Sequence, residues 1–79
     1  MALISEFTHV PGERQSIHKP VACGWKIFDE QGQRILQLDT YGNSDRANPG
    51  KLSQSLQFDR AAAEELFRLL QKAFPGLSA

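Results

Sequence analysis

The sequence predicts a small α+β domain in which a curved antiparallel sheet of three to four strands precedes one C-terminal amphipathic helix. Two periodicities support this fold class. Apolar and polar residues alternate in segments 21–29, 33–41 and 51–58, as is typical of strands with one buried face. After Asp59 the apolar spacing changes to about 3.6 residues, the period of a helix. The predicted element order is ββββα.

The length of the chain limits how much core it can form. We interpret residues 1–79 as one domain, with 1–20 as a loosely ordered arm and loop, 21–58 as the sheet and 59–74 as the helix. A domain of this size buries only about 60% of its unfolded surface. Its single cysteine forms no internal disulfide, and the sequence predicts neither a metal site nor a cofactor. Because small domains without such cross-links often associate, we expect a homodimer.

The charges of the chain limit its partners. Nine basic and nine acidic side chains give zero net charge. General nucleic-acid binders usually carry a basic excess, so this balance argues against non-specific phosphate binding, although a small local patch stays open. The sequence indicates no membrane span or export signal. Together with an unpaired cysteine, this leads us to expect a cytoplasmic protein.

The N-terminal half predicts one hairpin after an irregular start. Residues 1–10 are either a short strand, with Leu3 and Phe7 on one face, or an arm, and polar residues 12–20 predict a loop. Segment 21–29 predicts a strand in which Gly24 marks a bulge or a close backbone approach. Because Gly32 readily takes a positive φ, 29–32 predicts the turn that pairs this strand with 33–41.

Alternation assigns the strand residues to two faces. We expect one face to lie against the helix and the other to be polar, since antiparallel sheets often have one solvated face. The helix-facing side is expected to carry Leu36, Leu38, Leu56 and Phe58. Leu52 and Gln54 alternate in phase with Leu56. The polar side is expected to carry Gln37, Asp39, Tyr41, Ser53, Ser55 and Gln57.

The C-terminal segment predicts the helix. Asp59 is a suitable N-cap because its carboxylate can accept hydrogen bonds from first-turn amides. Pro75-Gly76 is expected to end the helix. The predicted apolar stripe consists of Ala62, Leu66, Leu69, Leu70 and Ala73, with Phe67 and Phe74 at its edge.

Residue patterns typical of enzymes are absent from the sequence, so we do not predict an enzyme. We interpret Cys23 as a packed thiol. Trp25 falls in the same alternation phase as Val21, Cys23 and Ile27. This favours a place in the core or a dimer interface over a platform for base stacking. For Tyr41, a structural role and ligand contact are equally supported. The loop 42–50 carries Arg46 and ends next to Lys51; these cations are either part of a basic patch or scattered solvated charges.

The segments 34–41 and 49–58, followed by the Asp59 cap and the helix, resemble the positive-cofactor-four family of transcriptional coactivators. The resemblance is one of pattern and covers about residues 25–74. In that family an alternating curved strand leads through a polar loop into a Pro-Gly-Lys-like strand, a cap and an amphipathic helix.

This resemblance implies a DNA-binding dimer that associates through its helices and holds single-stranded DNA on curved sheets, as a regulator of transcription or DNA metabolism. By position, the implied contacts are Trp25, Lys26, Arg34, Tyr41, Arg46 and Lys51, with Phe28 as an alternative stacking residue. The chain departs from the family in its zero net charge and in Gln37 and Asp39, which replace a more basic face. The competing hypothesis is a protein-interaction module, such as a small regulator or an immunity- or antitoxin-like partner, without nucleic-acid binding.

Overall fold

A computed structural model describes residues 1–12, 14–41 and 52–78. Within these residues the chain forms four strands and one helix, which confirms the predicted α+β class and element order. The strands are β1 (Ala2–Leu3), β2 (Cys23–Glu30), β3 (Gln33–Tyr41) and β4 (Leu52–Phe58). They form one sheet in the order β1-β4-β3-β2, and the helix α1 (Arg60–Ala73) follows β4 directly.

The predicted hairpin between β2 and β3 is confirmed. Its two turn residues, Gln31 and Gly32, both have positive φ, at 52° and 78°. Two successive positive φ values are those of a type I′ turn, whose twist matches that of paired strands. The turn sets an antiparallel register that begins with Glu30 opposite Gln33 and continues to Cys23 opposite Thr40.

The edge of the sheet next to β4 differs from the prediction of a wholly antiparallel sheet. β1 pairs with β4 in parallel, with Ala2 opposite Leu56, and the Ile4 amide donates to the Gln57 carbonyl at 2.9 Å. Residues 4–12 and 14–22 form no helix or strand. Phe7 from this segment stacks on Phe58, with ring centroids 6.5 Å apart and planes 8° from parallel. The arm is therefore attached to the sheet by the hydrogen bond of Ile4, next to β1, and further along by this aromatic pair.

A β-bulge changes the predicted alternation at the start of β4. Thr40 pairs with Gln54 but Tyr41 pairs with Leu52, so Ser53 is an extra residue on β4. Because paired residues share a face, Leu52 lies with Tyr41 rather than with Leu56. The predicted face of Leu52 was therefore wrong, while the phase from Gln54 to Phe58 was right.

The helix has the predicted ends. The Asp59 carboxylate accepts a hydrogen bond from the Ala62 amide at 2.9 Å, which satisfies one of the free first-turn donors. At the other end the Phe74 amide donates to the Leu70 carbonyl at 2.9 Å, and Gly76 has a φ of 93°. α1 makes its main contact with β4, the strand that leads into it.

The core of the described chain is small. Ile35, Phe58 and Ala62 are buried, and no side chain is completely enclosed. Leu56 was expected between sheet and helix but is 37% exposed. It lies on the same face as Leu38, its partner on β3, so the strand phase was correct and the expected cover is missing. The contact of α1 with β4 leaves Leu56 partly exposed.

Candidate nucleic-acid interface

The register divides the sheet into two faces of different chemistry. The first, here called the apolar face, is formed by Trp25, Ile27, Leu36, Leu38, Leu56 and Phe58, with Cys23 at its end. The second, here called the polar face, is formed by Gly24, Lys26, Phe28, Ile35, Gln37, Asp39, Tyr41, Ser55 and Gln57. The polar face is the candidate site because it carries the hydrogen-bonding groups.

Four side chains in the middle of the polar face form a hydrogen-bond network. The Ser55 hydroxyl donates to Oδ1 of Asp39 at 2.6 Å, and Nε2 of Gln37 donates to the same oxygen at 2.9 Å. Nε2 of Gln57 donates to Oε1 of Gln37 at 2.8 Å. An ionised carboxylate only accepts, so it determines which way both glutamine amides point. The network presents a fixed pattern of donors and acceptors.

Asp39 is the electrostatic centre of this face. It is 9% exposed and Ser55 is 4% exposed, although both are polar. The hydrogen bond from Ser55 lowers the pKa of Asp39, with further lowering by Gln37 and by the charge of Lys26, against the opposing effect of desolvation. Asp39 is therefore an anion at neutral pH. Its charge repels phosphate and attracts cationic or hydrogen-donating groups.

Tyr41 lies across the strand pair at one end of the polar face. A Cβ built on Gly24 would be 3.2 Å from Cε2 and the hydroxyl of Tyr41, which is closer than ordinary packing allows. The absence of a side chain at Gly24 therefore makes room for the ring, and the predicted close approach at this glycine is confirmed. The half-buried ring is held in place beside the polar network.

The four described members of the predicted contact set do not share one face. Lys26 and Tyr41 lie on the polar face, whereas Trp25 and Arg34 belong to the opposite face. Arg34 also forms an exposed ion pair with Asp29, at 3.2 Å between Nε and Oδ1. Arg46 and Lys51, with the loop 42–50, lie outside the described residues.

Two interpretations of β2 side chains need correction. Cys23 was expected to be packed but is exposed. Trp25 was assigned to a core or a dimer interface, and within this chain it is 70% exposed, so it is not a core residue. Both lie on the part of the apolar face that β2 forms, which is exposed, whereas Phe58 on the same face is buried. A dimer interface therefore remains open for Trp25.

The sequence placed the polar residues on one face but did not reveal their network. The pairing of Asp39 with Ser55, and of Gln37 with Gln57, depends on the register between β3 and β4. The sequence shows where β4 ends, at Asp59, but not which residues of β3 lie opposite it. The available signal was the coincidence of an acid, a hydroxyl and two amides in one alternation phase.

An open cavity of about 690 Å³ lies on the other side of the sheet. It is mostly apolar and separates the β2–β3 turn from the first turn of α1; its lining includes Ile27, Leu36, Phe58, Ala61 and Ala63.

In the part of the chain that the structure describes, no group of three or more His, Cys, Asp or Glu residues is arranged to hold a metal ion. Among the described residues, no helix is long and apolar enough to span a bilayer.

Comparison with protein-family models, curated protein sequences and solved structures finds no match to this chain. The family resemblance noted from the sequence pattern therefore stays a prediction.

Proposed function

We propose that this protein is a homodimeric module that binds single-stranded nucleic acid, most simply single-stranded DNA, on the polar face of its sheet. It would act in the cytoplasm as a small regulator of transcription or DNA metabolism. The observation that carries the proposal is that Tyr41 and Lys26 lie on one face beside the amide network. An aromatic ring and a cation on one face of a sheet are components of single-strand binding sites.

Tyr41 is the proposed stacking residue. Its ring lies against the backbone of Gly24, which restricts its motion. Little conformational entropy is therefore lost when a base stacks on it. Base stacking on an aromatic side chain contributes about 1–3 kcal/mol. The chain continues from Tyr41 into the loop that contains Arg46, and Lys51 precedes β4. We assign phosphate contacts to these two cations and to Lys26.

The charge on Asp39 makes this binding weak and selective. An anion in the middle of the face opposes the phosphate backbone, so we assign no phosphate contact to the part of the face around Asp39. Affinity should be modest and should fall steeply as salt is raised, because phosphate contacts release counterions.

Fluorescence anisotropy with a labelled oligonucleotide of about twenty nucleotides at low salt tests the proposal. Tyr41→Leu should lose about 1–3 kcal/mol of binding free energy, while Tyr41→Phe keeps the ring and should bind normally. Lys26→Gln should weaken binding to every sequence and reduce the salt slope by about one unit. Lys72→Gln removes the same charge from the exposed last turn of α1 and serves as the control.

Arg46→Ala combined with Lys51→Ala should flatten the salt slope by about one to two units. No binding of the unmodified protein at tens of micromolar would refute the proposal.

The alternative is a protein-interaction module that does not bind nucleic acid. The zero net charge and the anionic Asp39 favour it. A neutral protein interface responds little to salt, whereas phosphate binding weakens in proportion to the number of contacts. A salt titration of any observed binding therefore separates the two functions.

A further inference from the structure

The folded chain exposes far more surface than a complete domain of its mass. Its accessible area is 7194 Å², whereas a folded monomer of 8.8 kDa exposes about 4,800 Å². Its radius of gyration is 14.8 Å, against about 11.6 Å for a compact domain of this length. The irregular N-terminal arm accounts for part of the excess. Part of the exposed area lies on two apolar surfaces of the described chain, where Trp25 and Ile27 on the sheet and Phe67 and Phe74 on the helix are exposed.

The first uncovered surface is the apolar face of the sheet. One row of side chains crosses all four strands, formed by Trp25, Leu38, Leu56 and Ala2. A second row, formed by Ile27, Leu36 and Phe58, lies beside it and is exposed at Ile27 but buried at Phe58, on which Phe7 stacks. Trp25 is 70% and Ile27 53% exposed. With strands about 4.8 Å apart, the first row is about 14 Å wide, somewhat more than the diameter of a helix.

The second uncovered surface is the apolar stripe of α1. Phe67, Leu69 and Leu70 are exposed on the helix, and Phe74 at its C-cap is 61% exposed. The helix is amphipathic, and such a stripe normally lies against a core. Here α1 leaves the sheet at Asp59 and makes its main contact with β4 only. The chain therefore has an apolar sheet surface that its own helix does not cover, and an apolar helix stripe that does not pack on its own sheet.

We propose that a second copy of this chain covers the apolar face with its helix, and that the exchange is reciprocal around a two-fold axis. This goes beyond dimerisation through helix–helix contact because it makes the sheet face, with Trp25, half of the interface. It does not depend on nucleic-acid binding. The open cavity between the β2–β3 turn and α1 would then be filled by side chains of the second copy.

A stable interface needs about 800 Å² from each partner. The described chain offers exposed apolar side chains on both surfaces, namely Trp25, Ile27 and Leu56 on the sheet and Phe67, Leu69, Leu70 and Phe74 on the helix. Net charge is zero, so two copies do not repel each other. Since the same pair of surfaces occurs on each copy, one two-fold operation satisfies both, and the assembly closes at two chains.

Trp25 is the only tryptophan in the sequence, so its fluorescence reports directly on the apolar face. For the unmodified protein we expect a dimer by light scattering, a blue-shifted Trp25 emission and weak quenching by acrylamide. Phe74→Asp places a charge on the exposed C-cap, outside the helix interior, and should return Trp25 to the emission and quenching of a solvated indole. Ile27→Asp should produce the same change from the sheet side. Gln71→Asp adds an equal charge on the polar side of α1 and should leave the dimer and the emission unchanged.

Far-UV circular dichroism establishes that each variant keeps its sheet and helix. A dimer with solvated Trp25 would overturn this inference while leaving a helix–helix dimer intact. A shielded Trp25 that Phe74→Asp and Leu70→Asp both leave shielded would show that something other than the helix covers the face, which also overturns it. A stable folded monomer would overturn both forms of the dimer.

Discussion

The stacked pair Phe7 and Phe58 connects the N-terminal arm to the sheet, and a double-mutant cycle can measure that connection. Phe58 is buried and Phe7 is half-buried, with their rings nearly parallel. Replacing each ring by leucine keeps an apolar side chain but removes the stacking. An aromatic pair contributes about 0.5–1.5 kcal/mol beyond the area it buries. We therefore expect a coupling free energy of that size between Phe7→Leu and Phe58→Leu.

The assay is urea unfolding of the unmodified protein, the two single variants and the double variant, followed by far-UV circular dichroism. All four are compared at one protein concentration because the stability of a dimer depends on concentration. Phe28→Leu, on the opposite face of the sheet and two strands away from Phe58, replaces Phe58→Leu in a control cycle and should be additive with Phe7→Leu. Coupling below about 0.3 kcal/mol in the Phe7–Phe58 cycle would refute the idea that this pair fixes the arm.

Two further predictions concern the polar face. Because the pKa of Asp39 is lowered from its ordinary value of 3.8, ionised Asp39 contributes stability above that pH and loses it as the pH falls through the lowered pKa. The melting temperature of the unmodified protein should therefore fall more steeply than that of Asp39→Asn below about pH 4, and parallel curves would contradict this. Gly24→Ala puts a methyl group 3.2 Å from the Tyr41 ring, so the ring must shift by a few tenths of an ångström, which should weaken oligonucleotide binding. Ser53→Ala, on the same sheet but at the bulge, is the control, and equal binding by both variants would show that Gly24 does not support the ring.

The elements that the sequence predicted well are those determined by local chemistry. Gly32 indicated the hairpin turn, and Asp59 indicated the start of the helix, since positive φ and first-turn amides are requirements of neighbouring residues. Alternation gave the correct phase for β3 and for most of β4. These assignments needed no knowledge of distant contacts.

The features that sequence reasoning missed depend on distant partners. β1 has only two residues, so its parallel pairing with β4 leaves no periodic signal. The bulge at Ser53 depends on where β3 and β4 meet. The exposure of Leu56 and Trp25 was unexpected because alternation identifies an apolar face but not the molecule that covers it.

The division of the predicted contact residues between two faces has the same origin. Trp25 and Lys26 are neighbours in the sequence, and neighbouring strand residues point to opposite sides of a sheet. Trp25 and Lys26 therefore cannot both contact a nucleic-acid strand that lies on one face of the sheet. The register assigns Lys26 and Tyr41 to the polar face and leaves Trp25 on the face that we assign to a second copy.

Sedimentation velocity with a labelled single-stranded oligonucleotide at low salt tests the two-face account most directly, because it reports self-association and nucleic-acid binding together. The account predicts that the label sediments with a particle containing two chains, twice the 8.8 kDa mass of one, and that raising the salt releases the label while the two chains stay together. A label that sediments alone at every salt concentration, beside protein at the mass of one chain, would contradict it.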